Sequence, residues 1–85
     1  MSRGEKVYSK ELDSKARYFV SLGCTNAMVA MQLGVSSVCL YQWKNKHESF
    51  KRALHAGMVD NLETGYNKKD AEEMLIANGM WKGSE

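Results

Sequence analysis

The chain has 85 residues, a net charge of +2 and no proline, which describes one small domain near the lower limit for a self-sufficient core. No apolar run approaches the ~18 residues of a membrane span, so no membrane-spanning helix and no membrane partner are expected. The polar start MSRGEKVYSKE has no apolar segment of the kind that directs secretion, which places the expected location in the cytoplasm. Charge is divided unevenly: residues 1–52 hold nine Lys or Arg and four acids, and residues 53–85 hold three and six. A basic first half suits a polyanion, whereas an acidic second half suits solvent or another protein.

Residues 1–8 read as a flexible arm, with Arg3 and Lys6 available to a nucleic-acid backbone or minor groove. A first helix is expected over 9–22, capped by Ser9, with Leu12, Ala16, Phe19 and Val20 on one face and Gly23 closing it. Thr25 or Asn26 caps a second helix that carries Met28, Val29, Met31, Gln32 and Leu33. Gly34 and Val35 make a turn, and Ser36 caps a third helix running from Ser37 to about Lys44. A longer fourth helix starts near Glu48, with His47 at the boundary and Phe50, Leu54, Met58 and Leu62 spaced four apart on one stripe. Gly65 ends it. Asn67 followed by Asp70 three residues later is a capping box, predicting a short last helix over 68–77 that Asn78 and Gly79 terminate.

Residues 26–45, NAMVAMQLGVSSVCLYQWKN, carry the functional signal. A small residue, Ala30, stands where two helices must cross closely. Gly34 stands where the chain must reverse through a left-handed backbone. Val29, Leu33, Val35, Leu40 and Trp43 weld the second of these helices to the first and to the helix before them. This is the pattern of a helix-turn-helix DNA-binding unit. The fold class expected is therefore all-α: a helix-turn-helix, homeodomain-like three-helix core over 9–46, extended by the long helix over 47–66. The short helix and tail over 67–85 serve either packing or oligomerisation. Met74, Leu75, Ile76, Met80 and Trp81 are too apolar for a bare tail. They either fold back over the fourth helix or meet another chain.

In such a unit the third helix lies in the major groove of double-stranded DNA. Ser36, Ser37, Val38, Tyr41, Gln42 and Asn45 are its expected outward positions. Gln42 is the foremost base reader, because its amide pairs with adenine through two hydrogen bonds. Ser37 donates to a base edge or phosphate, Val38 packs on a thymine methyl, and Tyr41 meets the sugar-phosphate backbone. Lys44 and Lys46, with Lys51 and Arg52 beyond them, are assigned to phosphates. The positive end of the second helix, at Thr25 and Asn26, is assigned to another phosphate.

Other chemistry is absent from the sequence. No glycine-rich loop is followed by Lys-Ser or Lys-Thr. Cys24, Cys39, His47 and His55 have no zinc-like spacing, and both cysteines read as buried or half-buried thiols rather than a disulfide. Adjacent Glu72 and Glu73 diverge around their helix and make no catalytic pair. No cofactor, metal or enzymatic activity is expected.

Residues 11–66 resemble the DNA-binding region of small terminase subunits from tailed bacteriophages. The resemblance rests on SLGCTNAMVAMQLGVSSVCLYQW, on HESFKRALHAG and on LETGY. Transposase and recombinase units share the Leu-Gly-Val-Ser and Tyr-x-Trp elements, but the Glu48-Ser49-Phe50 start and the Thr64-Gly65-Tyr66 ending favour terminase. His47 stands where that family carries proline, and the stretch after Tyr66 is short for it. The resemblance implies a protein that recognises viral DNA in the bacterial host cytoplasm to begin genome packaging. It also implies a homo-oligomer that delivers DNA to a large terminase subunit holding the ATPase and nuclease. A transcription regulator or transposase-type module is the alternative, and an adaptor that binds no DNA is a third reading.

Overall fold

A computed structural model describes residues 7–79, and these form five α-helices with no strand. They are α1 (Glu11–Ser21), α2 (Asn26–Leu33), α3 (Ser37–Lys46), α4 (Glu48–Thr64) and α5 (Lys68–Ala77). None is long and apolar enough to cross a membrane. Arg3, Lys6, Met80 and Trp81 lie outside the described residues.

The most extensive helix pair is α1 with α4, and α2 and α3 bridge one side of it. Leu12, Ala16, Phe19 and Val20 form the buried face of α1, and Phe50, Leu54 and Gly57 that of α4. Gly57 permits this pairing: a Cβ there would lie 2.7 Å from both the Arg17 carbonyl oxygen and the Val20 Cβ. Outside the contact, Arg17 grips Asp60 through two hydrogen bonds of 2.7 and 3.3 Å. That hydrogen-bonded guanidinium holds the Asp60 carboxyl below its ordinary range, while the carboxylate raises Arg17.

Sequence and structure part company at three places in the helices. Ser9 does not cap α1: the helix starts at Glu11, Lys10 already has helical geometry, and Ser9 contributes its carbonyl to the Leu12 N–H at 3.0 Å. The third helix continues to Lys46, where the His47 N–H closes on the Trp43 carbonyl at 2.8 Å. The apolar stripe of α4 stops at its middle. A four-residue step overshoots one turn by about 40°, so Leu62 points about 120° away from Phe50. Phe50 and Leu54 are buried, but Met58 is 58% and Leu62 82% exposed, and Gly57 takes the inward place instead.

Tyr8, assigned by sequence to the arm, is part of the fold. Its ring stacks on His47 at 3.8 Å and meets Trp43 and Phe50 edge-on at 5.7 and 6.0 Å. Its hydroxyl donates to Asp13 Oδ1 at 2.6 Å, which leaves the Ser49 hydroxyl, 2.9 Å away, to donate to it. Partial burial and then the Asp13 carboxylate raise the phenol above its ordinary range.

The segment that leads into α5 is fastened by polar groups. The Asn61 side chain donates to the Ser21 carbonyl at 3.1 Å and to the Tyr66 carbonyl at 2.8 Å, tying the end of α1 to the turn before α5. Gly23, at φ 102°, lets that turn approach: a Cβ at this position would stand 2.5 Å from the Asn67 carbonyl oxygen. The α5 capping box is complete, with Asp70 N–H to Asn67 Oδ1 at 2.9 Å and Asn67 N–H to Asp70 Oδ2 at 3.1 Å. Ala71 and Leu75 join the core, Met74 is half-buried, and Ile76 is exposed.

Candidate functional site

The site grows from two short helices and the turn between them. Thr25 has extended backbone and its hydroxyl accepts the Met28 N–H at 3.3 Å, which starts α2. Gly34 ends it at φ 80°, and the Val35 N–H returns to the Ala30 carbonyl at 2.9 Å. That bond leaves the chain extended at Ser36, whose hydroxyl accepts the Cys39 N–H at 3.1 Å and starts α3. The turn therefore fixes the direction of α3 through backbone bonds that depend on one glycine.

Packing fixes its rotation. Val29, Ala30, Leu33, Val35, Leu40 and Trp43 are all buried. Trp43 lies edge-on to Phe50 at 5.7 Å, which couples α3 to α4. With Leu40 and Trp43 inward, the helical period turns Ser37, Val38, Tyr41, Gln42 and Asn45 outward, and all five are exposed, as are Ser36 and Lys46. Ser37, Tyr41 and Asn45 form one row along the helix, and Val38 and Gln42 form the next. Val38 is 66% exposed. Half-buried Lys44 holds its ammonium 5.8 Å from the Tyr41 ring centre.

Thr25 and Asn26 are exposed at the start of α2. Asn26 shares a cleft of about 290 Å³ with Lys44 of α3 and with Lys51, Leu54, His55 and Met58 of α4. The structure thus gathers Asn26 with Lys44 and Lys51, the first assigned to a phosphate through the start of α2 and the other two as lysines, and brings His55, exposed on α4, beside them. Arg52 is drawn elsewhere: its Nε lies 3.4 Å from Glu48, one turn back on an exposed face.

Electrostatics give the surface one sign. From Ser14 to His47 the chain has no acid, so neither α2 nor α3 carries one. That acid-free stretch is a sequence signal the charge totals alone conceal. The groups on offer are amide, hydroxyl and ammonium, which suit hydrogen bonding to a polyanion and have no nucleophile–base pairing. Cys24 is buried, and burial pushes its thiol up to about 11. Cys39 is half-buried, and the two form no disulfide. His47 lies under Tyr8, and no cluster of three His, Cys, Asp or Glu side chains suited to a metal occurs among the described residues.

No protein-family model, no curated protein and no solved structure matches this chain. The site must be read from its own geometry.

A second surface has different chemistry. Val20, Cys24, Met58, Val59, Leu62 and Tyr66 line a groove of about 580 Å³ between the end of α1 and the second half of α4. It contains the apolar residues of α4 that the helical drift turned outward.

Proposed function

We propose that this chain is a sequence-specific binder of double-stranded DNA, in which α1 to α3 form a homeodomain-like helix-turn-helix core and α3 enters the major groove. One observation carries the reading. The residues that must point inward for such a unit are buried, and the same rotation exposes Ser36, Ser37, Val38, Tyr41, Gln42 and Asn45 on a face without acids. Gln42 reads a base, Ser37 and Asn45 bond base edges or phosphates, and Val38 takes up a thymine methyl. Thr25, Asn26, Lys44 and Lys46 hold the backbone and set the salt dependence. α3 has only two cations, so one copy binds modestly and several copies on one duplex bind well.

The role that best joins these parts is that of a small terminase subunit, which marks viral DNA for packaging and passes it to the large ATPase–nuclease subunit. The sequence pattern over residues 11–66 supports it, as does the apolar second half of α4, which offers a face for self-association. A neighbouring gene for a large ATPase–nuclease sharpens this role; repression of its own promoter favours a transcription regulator.

The test is duplex binding by fluorescence anisotropy across a salt series, with Gln42→Ala beside the native chain. The expected result is salt-sensitive binding in which the variant loses about 1–3 kcal/mol of sequence discrimination and keeps its nonspecific affinity. Absence of duplex binding at low salt and high protein concentration overturns the proposal. For self-association, Leu62→Asp is expected to reduce the mass seen by sedimentation, and a native chain that stays monomeric at every concentration removes the oligomer from the reading.

A further inference from the structure

We propose that the cleft between α2, α3 and α4 is a seat for a single phosphate group, built by Lys44, Lys51, His55 and the Asn26 amide. The source of that phosphate, the DNA backbone, rests on the DNA-binding reading; the seat itself rests on the convergence of three helices. Lys44 comes from the last turn of α3, Lys51 from the first half of α4, His55 from the next turn of α4, and Asn26 from the start of α2. No carboxylate lines the cleft.

Three features favour a bound oxyanion. Two lysines from different helices line one concavity whose lining holds no acid, and such a pairing attracts an anion. The walls between them are apolar, Leu54 and Met58, so the field of the lysines is less screened than on an open surface. The Asn26 and Ala27 N–H groups in the first turn of α2 meet no acceptor among the described residues, because the Thr25 hydroxyl takes only the Met28 N–H. His55 shares the cleft with Lys44, Lys51 and the uncharged Asn26, and its ring N–H is a further donor to an anion.

The consequence is that α4 takes part in binding and is more than a brace for α3. The seat adds a backbone contact beside the base-reading row of α3.

The test compares the native chain with Lys51→Gln, His55→Gln and the control Lys69→Gln, whose side chain is exposed on α5. Each folded chain is titrated with a duplex over a salt series. Each is also titrated with inorganic phosphate while the amide resonances of Asn26, Lys51 and His55 are followed. Lys51→Gln is expected to make the slope of log K against log salt shallower by about one, leaving sequence preference unchanged, while Lys69→Gln matches the native chain. His55→Gln is expected to weaken duplex binding severalfold with sequence preference unchanged. If the duplex binds and Gln42→Ala still erases preference, but the Lys51→Gln slope equals the native one, the seat is wrong and the DNA reading stands. If no duplex binds, yet inorganic phosphate shifts those resonances in the native chain and not in Lys51→Gln, the seat stands as a site for free phosphate. Silence in both titrations overturns it.

Discussion

α3 and α5 are both ten residues long, and they are held in place by opposite means. α3 buries Leu40 and Trp43 in the centre of the fold, has a single capping bond from Ser36, and carries two lysines and no acid. α5 has reciprocal caps between Asn67 and Asp70, sinks only Ala71 and Leu75, and adds Asp70, Glu72 and Glu73 to its two lysines. One helix is oriented from behind, which leaves its outer face unencumbered. The other is stabilised at its own end and stays near the edge of the core. A surface meant to be read by a partner needs the first arrangement, because packing fixes its rotation and a cap alone does not.

The contrast can be broken most severely at Trp43. Trp43→Ala removes the edge-on partner of Phe50 and Tyr8 and is expected to cost about 3–5 kcal/mol, enough to abolish cooperative unfolding in a chain of this size. Chemical denaturation followed by circular dichroism measures it. Leu75→Ala is expected to cost about 2–3 kcal/mol and to act locally: hydrogen exchange should quicken in α5 while α2 and α3 keep their protection. Equal loss of protection in all helices would mean that α5 is as integral as α3. The caps come next. Asn67→Ala is expected to cost about 1 kcal/mol and to fray α5, whereas Ser36→Ala costs a similar amount without freeing α3, whose side chains still anchor it. The last prediction concerns pH. The unfolded Cys24 thiol ionises near 9.0 and the folded one near 11, so the folded state holds its proton longer. Stability should therefore be unaffected by this group below pH 9 and decline as the pH rises from 9 to 11. A Cys24→Ala chain lacks that decline.

The helix order and most termini were legible because they are written locally. Thr25, Ser36 and the Asn67–Asp70 pair announce starts, and Gly34 and Gly65 announce ends with left-handed backbones. Ser9 misled because a capping residue type does not guarantee a capping geometry; the chain there is already turning when it reaches Lys10. Met58 and Leu62 misled because a strict four-residue spacing is not the helical period, and its error accumulates with every turn. The outward row of α3 was readable from the five apolar positions that oppose it. Tyr8 and the cleft beside His55 were not, since each depends on residues distant in the chain: Tyr8 on Trp43 and Phe50, the cleft on Asn26 and Lys44.

The perch of Tyr8 also gives this molecule an optical gauge. Trp43 lies 5.7 Å from the Tyr8 ring, which in turn covers His47, so the indole senses whether the segment ahead of α1 is seated. With Trp81 changed to phenylalanine, a single tryptophan remains in the chain. Its colour and brightness then register the lifting of residue 8 in real time, at the corner where the candidate reading helix hands over to its brace.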